Sequence, residues 1–276
     1  ATTTNNENTT WTNGSSIGSD ATYYWCSQNN DGVDTSSWTQ MGNFILDTVL
    51  PVPTVTAVGG DTASAWSTSD TSPLITLTLN ESGDCYASET DEAYDDMSTD
   101  TNCTGDGTTL ITCQMGTLAE SSSKTIYVAC QDTAGNKDTI ATNEAITTEI
   151  DATPPTISGY SPASGSTTAD STPAITLTTD ESGDCFASVD GDETYDQMSD
   201  DTNCTGDGTT SHSCTLADLG ADGAKTIYFS CEDDTSASPN KNTADNNGSI
   251  TLTLDSAAPT ASGFDPAAGI VSGLPS

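Results

Sequence analysis

Cysteine is the residue of this 276-residue chain with the clearest capacity for covalent chemistry, because nine cysteines occur and eight recur at equivalent places in two stretches. Zinc-binding cysteines usually come in C-x-x-C pairs, and the sequence has none. A catalytic thiol is not expected, since the only histidine, His212, stands beside Cys214 at a predicted strand edge. The pattern therefore predicts disulfide bonds and an oxidising compartment.

Each full repeat contains four cysteines, which allow three pairings. Two of the four flank a turn between adjoining strands, so we expect one short-loop bond in each repeat and a second bond that closes a longer loop. The longer loop should stabilise the fold more, by about 4 kcal/mol against about 3 kcal/mol in the chain-entropy description. The predicted bonds are Cys103–Cys113 and Cys85–Cys130 in the first repeat, and Cys204–Cys214 and Cys185–Cys231 in the second.

The ninth cysteine, Cys26, aligns with Cys130 and Cys231 but has no counterpart of Cys85 before it. Three explanations stay open. The partner belongs to a part of the polypeptide outside this sequence, a neighbouring subunit supplies it, or the thiol is free.

Carboxylates are the second group of residues dense enough to suggest chemistry, with 41 Asp and Glu against four Lys and a net charge of −37. This charge repels nucleic acid and anionic lipid, and it excludes polyanion binding. Dense acidic clusters at 95–100 and 192–201 resemble paired catalytic acids and bases, which must lie across a pocket with divergent pKa values. Because the clusters fall in loops of both repeats, we predict no enzymatic activity and expect them to serve solubility or weak cation binding.

These residues sit in a block that the chain contains twice, with Ile75–Thr78 matching residues 100 positions later and Cys103 matching a residue 101 positions later. Alternating apolar residues predict strands at 75–79, 85–88, 108–113, 125–130 and 140–150, with acidic turns at 80–84 and 132–136. High charge and low hydrophobicity are also typical of disorder. Strand alternation, eight Tyr and four Trp instead favour folded domains. With about seven short strands in each repeat, the sequence predicts an all-β, disulfide-stapled, immunoglobulin-like sandwich for each.

An Asp-x-x-x-Pro sequence opens each module, at residues 47–51, 151–155 and 255–259. We therefore predict full domains at 47–150 and 151–254. Residues 1–46 are interpreted as the second half of a module or an N-terminal assembly segment, and 255–276 as the opening strand of another module or a C-terminal assembly segment. No apolar run is long enough to span a bilayer, and no signal peptide is recognised.

Aromatic residues give the N-terminal half-module a density that the other modules lack. They would be exposed in a sugar-binding platform and buried in a core or a subunit interface. The alignment of two of them with Val128 and Ala129 favours burial. The interface aromatics predicted on this basis are Tyr23, Tyr24, Trp25 and Trp38.

Asn-x-Ser/Thr triplets mark candidate glycosylation sites, although a chain rich in Ser and Thr also produces them by chance. They occur at Asn8, Asn13, Asn80, Asn102, Asn203 and Asn247.

Several motifs together resemble a known family: the Asp-x-x-x-Pro opening, a TLT strand, a cysteine after an acidic turn, Tyr-x-x-Met pairs at Tyr94/Met97 and Tyr195/Met198, and the segment TIYVACQDTAGNK. This combination is similar to prokaryotic immunoglobulin-like repeat modules, which occur in tandem in secreted or surface-anchored adhesins, fibres and envelope proteins. The resemblance implies an extracellular or cell-surface protein that requires no cofactor.

In some relatives Ca²⁺ lies between modules, held by the acidic turn and the Asp that opens the next module. Carried over to this chain, the resemblance groups Asp132 with Asp151, and Asp233 and Asp234 with Asp255. The second repeat lacks the Ala-Gly-Asn of the first. The alternative is a solvated Asp-rich turn that caps a hairpin.

The combined interpretation is a structural subunit of an extracellular filament or surface fibre, with other copies of itself as partners. The incomplete modules at both ends would leave strand edges for end-to-end strand addition between subunits. Joining 255–276 to 1–46 still omits a counterpart of 73–100, so the pairing would be irregular. The alternative function is an adhesin segment that binds a glycan or a surface protein through Trp38 and nearby loops.

Overall fold

The regular structure of this protein is almost entirely β. A computed structural model describes residues 20–30, 32–63, 65–235 and 238–260. The chain divides into two compact units, one formed by the residues up to 67 with 71–150, and the other by 68–70 with the residues from 151 onward. No helix among the described residues is long and apolar enough to cross a membrane. The predicted all-β, immunoglobulin-like fold is confirmed.

The first unit begins with a hairpin of β1 (Ala21–Ser27) and β2 (Thr39–Leu46), which form a two-stranded antiparallel sheet. Its sandwich follows. The strands are β3 (Pro53–Val58), β4 (Trp66–Thr68), β5 (Leu74–Ser88), β6 (Thr101–Asn102), β7 (Thr108–Gln114), β8 (Ser121–Asp132) and β9 (Glu144–Ile150), with a 3-10 turn at Met97–Thr99.

The long strand β5 belongs to both layers of this sandwich. Its first half pairs with β3 and β7, through Leu77↔Val55 and Leu77↔Ile111. Its second half pairs with β8 and β6, through Cys85↔Cys130 and Tyr86↔Asn102. Beyond β8 the second layer continues through β9 to β4. One strand therefore carries the chain from one sheet to the other.

The predicted acidic turn at 80–84 is wrong, because β5 continues through it. The strand β5 bends here without a break. Gly83 allows the bend because it lets the backbone of β8 approach closely. A Cβ at this position would lie 2.6 Å from the carbonyl oxygen of Gln131, closer than real Cβ atoms come. Composition alone indicated a turn, since Asn, Ser, Gly and Asp all favour turns, but the pairing with β8 overrides that preference.

The second unit repeats this arrangement. Its strands are β10 (Ile157–Ser161), β11 (Thr167–Thr168), β12 (Ala174–Ser188), β13 (Thr202–Asn203), β14 (Thr209–Thr215), β15 (Gly223–Asp233) and β16 (Gly248–Leu254), with a 3-10 turn at Met198–Asp200. β12 is the equivalent of β5 and pairs with β10, β14, β15 and β13. At its bend, a Cβ on Gly183 would lie 2.0 Å from the carbonyl oxygen of Glu232.

Four disulfide bonds lie inside these two sandwiches. The long-loop bonds join directly opposed residues of neighbouring strands, Cys85 with Cys130 and Cys185 with Cys231, at a Cα–Cα distance of 4.1 Å. The short-loop bonds are Cys103–Cys113 and Cys204–Cys214. All eight cysteines are buried. These are the pairings expected from the sequence, and they add covalent cross-links to the two hydrophobic cores.

Candidate functional sites

Two groups of carboxylates, one in each unit, bring three possible metal-ligand oxygens together among the described residues. In the first unit a ligand oxygen from each of Asp47, Glu81 and Asp132 lies within 4.8 Å of the others. In the second unit Asp151, Glu181 and Asp233 form the same arrangement. We call these groups the first and second carboxylate triads. Asp132 and Asp233 are each only 4% exposed, so neither triad is a loose surface cluster.

The strand pairing explains why these three residues meet. The register Pro53↔Leu79 places the residues before β3 beside the bend of β5. The register Gly83↔Asp132 places the end of β8 beside the same bend. Glu81 stands in that bend, so each triad collects one carboxylate from the module opening, one from the bend and one from the last residue of β8 or β15.

An asparagine organises the buried aspartate of the first triad. The backbone N–H groups of Gly135 and Asn136 donate to Asp132 Oδ1, at 2.7 and 2.9 Å. Asn136 Nδ2 donates to Asp132 Oδ2 at 2.6 Å and to the carbonyl oxygen of Asp47 at 3.2 Å. Burial alone would raise the pKa of Asp132, but these hydrogen bonds outweigh burial and lower it. Asp132 is therefore held as a carboxylate.

The second triad has the same organisation although its loop differs in sequence. Asn240 Nδ2 donates to Asp233 Oδ2 at 2.6 Å and to the carbonyl oxygen of Asp151 at 2.8 Å. The Ala-Gly-Asn sequence is thus not needed, because Asn240 occupies the place of Asn136 from a longer loop. The signal available in the sequence was the dipeptide Asn-Lys, at 136–137 and again at 240–241.

The glutamate of each triad has a raised pKa. The pKa of Glu181 is raised to about 8, first by burial, then by its hydrogen bond with Asp151 and by the charges of Asp151 and Asp233. The pKa of Glu81 is also raised, by burial and then by the charges of Asp47 and Asp132. Glu181 thus titrates close to neutral pH. A cation at the triad would compete with its proton.

The grouping of aspartates predicted for calcium differs from the one observed. Asp132 lies with Asp47, and Asp151 lies with Asp233, so each opening Asp joins the turn of its own module rather than that of the module before. Asp234 and Asp255 are exposed and belong to neither triad. The prediction also missed Glu81 and Glu181. Their signal was the shared sequence Glu-Ser-Gly-Asp-Cys in both repeats.

The hairpin β1–β2 is the second notable feature. Its two strands contain no Asp, Glu, Lys or Arg, in a chain of net charge −37. Cys26 is exposed and forms no disulfide. Tyr23 stacks on Phe44 with ring centroids 5.4 Å apart, and the Trp25 ring covers Gly42, where a Cβ would lie 2.5 Å from Trp25 Nε1. The two strands of the hairpin are thus neutral and carry several aromatic side chains.

The sequence alignment favoured burial of these aromatic side chains, either in a core or in a subunit interface. The structure excludes a core for the exposed ones. Tyr24 is 60% exposed, Trp25 is 55% exposed and Trp38 is 67% exposed. Tyr23 is half-buried. Tyr24 aligns with Val128 in sequence, but β8 lies between β5 and β9 in its sandwich, whereas β1 pairs with β2 alone among the described strands. Burial of these residues therefore requires another chain or segment.

The predicted glycosylation sites and acidic clusters lie outside the two triads and the hairpin strands. Asn80, Asn102 and Asn203 are exposed, whereas the Nδ2 of Asn247 donates to Asp192 and to the carbonyl oxygen of Glu193. Asn8 and Asn13 lie outside the described residues. The acidic clusters at 95–100 and 192–201 are mostly exposed, and Lys137 pairs with Asp95 as Lys241 pairs with Asp196.

Comparisons with known proteins give no family for this chain. No protein-family model matches it, and no curated protein matches it. Solved structures that match include the titin domains Z1Z2 in complex with telethonin, at 11% identity and a TM-score of 0.24, covering 75% of this chain and 98% of that chain. Protocadherin gamma B2 extracellular cadherin domains 3–6 match at 13% identity and a TM-score of 0.22, over 74% of this chain and 50% of that one.

A third structure, Dpr11 IG1 bound to DIP-gamma IG+IG2, matches at 10% identity with a TM-score of 0.27, over 73% of this chain and 97% of that chain. Immunoglobulin and cadherin domains are thus among the solved structures that match this chain. At these scores the similarity carries no argument about partners or activity. The function must be argued from the chain's own residues.

Proposed function

We propose that this protein is a structural subunit of an extracellular filament or surface fibre, in which subunits join by adding a β-strand to the hairpin β1–β2. The carrying observation is that this hairpin has two strands without a charged residue, in a chain of net charge −37. Elsewhere the acidic surface opposes contact between copies through like-charge repulsion. The two strands of the hairpin add no charged side chain of their own to this repulsion.

An exposed strand edge supports the same proposal. Natural proteins usually protect edge strands with lysine, proline, bulges or covering elements, because an unprotected edge pairs with other chains. β1 has no lysine and no proline, and its one irregularity of register lies between Trp25 and Cys26. A strand that is apolar, neutral and exposed is suited to strand addition, in which backbone hydrogen bonds supply affinity and side chains supply specificity.

The cell-surface setting rests on the disulfides and on sequence resemblance. Four buried disulfides in two small sandwiches are typical of proteins that fold in an oxidising compartment. The motifs shared with prokaryotic immunoglobulin-like repeats favour a tandem array outside the cell. Disulfide cross-links suit that role, since they limit unfolding when a fibre is pulled.

Electron microscopy of the purified chain tests the filament proposal. Filaments or end-to-end oligomers are expected at high protein concentration, with and without millimolar calcium. Tyr24→Glu places a further negative charge on the exposed β1 face, where it would repel the acidic surface of another copy, and should abolish assembly, whereas Leu110→Glu adds the same charge at a site 57% exposed on β7 and should not. Monomers under every condition, or equal assembly of the two variants, would refute the proposal.

A second candidate function is adhesion, supported by the exposure of Tyr24, Trp25 and Trp38 in the single chain. Exposed aromatic rings bind sugar faces and protein side chains while their polar atoms remain hydrated. Glycan-array binding that is lost in Trp38→Ala, in a chain that stays monomeric, would favour adhesion over filament formation.

Calcium binding at the two carboxylate triads is a separate proposal that the filament does not require. Three carboxylate oxygens within 4.8 Å of one another suit a hard cation that prefers oxygen ligands. Asp47, Glu81 and Asp132 would hold the ion in the first unit, and their equivalents would do so in the second. A bound cation would offset the repulsion that raises the pKa of each glutamate.

A further inference from the structure

The strand β1 is a third copy of the strand that forms the centre of each sandwich. Residues 21–27 align with 125–131 of β8 and 226–232 of β15, and Cys26 takes the position of Cys130 and Cys231. β1 also pairs with its following strand as β8 pairs with β9 and β15 with β16. The hairpin therefore corresponds in sequence to the β8–β9 part of the sheet, although β8 pairs with β9 only as far as Val128 and β1 pairs with β2 as far as Ser27.

In both complete units the other edge of this strand is covered by one specific segment. Gly83–Ser88 of β5 lies opposite Tyr127–Asp132, with Cys85 facing Cys130. The matching segment of β12 lies opposite β15 in the same register, with Cys185 facing Cys231. The covering sequences are Gly-Asp-Cys-Tyr-Ala-Ser and Gly-Asp-Cys-Phe-Ala-Ser. The repeat thus specifies which strand, in which register, covers this edge.

The described part of the chain supplies no such strand to β1. Both of its Gly-Asp-Cys segments are already paired and bonded within their own sandwiches. Cys26 is left exposed, with the neighbouring Tyr24 and Trp25 also exposed. Because β1 and β2 contain no charged residue, an acidic partner segment meets no like charge within these two strands.

We propose that β1 accepts from another polypeptide an antiparallel strand of the type Gly-Asp-Cys-Tyr/Phe-Ala-Ser, whose cysteine lies opposite Cys26 and forms a disulfide with it. The inference rests on the proposed assembly by strand addition and specifies the strand that is added. In the bond-forming step, the Cys26 thiolate attacks the sulfur of a partner cysteine held in a mixed disulfide. The new sulfur–sulfur bond forms as the old one breaks, and the released thiolate takes up a proton.

A disulfide between Cys26 residues of two copies fits the geometry less well. In an antiparallel pair centred on Cys26, residue i opposes residue 52 − i, so β1 (21–27) overlaps its copy only at 25–27. The pairing seen in the complete units spans six residues, 83–88 against 127–132. The longer register forms more backbone hydrogen bonds and is the one we expect.

A peptide-exchange experiment tests the proposal on the full chain. The probe is a synthetic peptide with the sequence of Leu74–Ser88, its cysteine held as a mixed disulfide with glutathione. The matched control has the same composition with its cysteine moved, by Cys85→Ser and Ser82→Cys. Mass spectrometry follows adduct formation. The first peptide should react at least tenfold faster than the control and than glutathione disulfide, and Cys26→Ser should abolish the adduct.

Hydrogen exchange separates strand pairing from thiol chemistry. The Cys26→Ser chain mixed with the Cys85→Ser peptide cannot form a disulfide, yet the amides of 23–28 should exchange more slowly when the peptide is added. Equal reaction rates for the two peptides, no change in exchange, or preferential Cys26–Cys26 dimers would each overturn the inference. Filaments seen by microscopy in the same preparation would then leave the proposed function standing.

Discussion

Replacing Glu181 by glutamine should stabilise the second unit at neutral and alkaline pH when divalent cations are absent. The reason is the second carboxylate triad, in which burial and then Asp151 raise the pKa of Glu181 to about 8. A carboxyl group with a raised folded-state pKa holds its proton more tightly in the folded than in the unfolded chain. Its favourable contribution is therefore complete below the unfolded pKa, near 4.5, and is lost as pH rises towards 8.

The size of the effect follows from the shift. Moving from 4.5 to about 8 corresponds to an upper limit of about 5 kcal/mol, at about 1.4 kcal/mol for each pH unit. Glu181 is only half-buried, so solvent screening reduces the expected gain to about 1–2 kcal/mol. In a domain of this size that gain raises the melting temperature by roughly 5–10 °C.

Calorimetry of the wild-type chain and of Glu181→Gln, from pH 5 to pH 8.5 in a calcium chelator, measures this effect. The two chains should differ little at pH 5 and diverge as pH rises. Asp245→Asn removes one charge from an exposed position and controls for net charge. Glu81→Gln tests the first triad. Equal melting temperatures for wild type and Glu181→Gln at pH 8 would refute the electrostatic account.

Calcium gives the same experiment a second arm. If the triads bind the cation, millimolar calcium should raise the melting temperature of the wild type and raise that of Glu181→Gln much less, because the variant lacks one anionic ligand. If calcium leaves both unchanged while the pH difference persists, the calcium proposal fails and the electrostatic account holds.

Three further predictions concern the two sandwiches. His212 is buried where the first unit has Ile111, and burial lowers its pKa, so its contribution to stability is lost as pH falls below about 6.5. The stability of His212→Ile relative to the wild type should therefore increase from pH 7 to pH 5 in chemical denaturation. Gly183→Ala should cost about 2–3 kcal/mol through its clash with the Glu232 carbonyl, whereas Gly116→Ala, with open space around it, should be nearly neutral. Removing Cys85–Cys130, which spans 45 residues, should cost about 4 kcal/mol against about 3 kcal/mol for Cys103–Cys113, which spans 10, and equal losses would contradict the loop-entropy account.

Much of the fold could be predicted because the same pattern of strands and cysteines occurs in both repeats. The alternation at Ile75, Leu77 and Leu79 is a local property of the sequence, and all three side chains are buried as expected. The disulfide pairing followed from the proximity of Cys103 and Cys113 to one turn. The bend at 80–84 could not be predicted in the same way, because its backbone conformation depends on pairing with β8, which lies more than 40 residues away in sequence.

The carboxylate triads were only half predictable for a similar reason. The acidic turn at Asp132 is visible in the sequence, but its neighbours are set by the register of β3 and β8 against β5. Sequence resemblance placed the opening Asp of the next module there, which is one module out of step with the structure. Glu181 could be recognised as part of the site only after the strand β12 had been followed through its bend.

The exposed hairpin should be only marginally stable on its own, and assembly would stabilise it. A two-stranded hairpin alone is at best marginally stable in water, and three strands or a packed face are needed for independent stability. β1 and β2 have no third strand among the described residues, and the hydrogen bonds from Thr48 to Asp20 anchor only the base of the hairpin to the module that follows. A strand added to β1 would supply backbone hydrogen bonds and cover Tyr24 and Trp25 in one step. Assembly and hairpin stability should therefore be coupled, so that hydrogen exchange at 21–27 slows when the added strand binds, whereas exchange in β8 and β15 does not change.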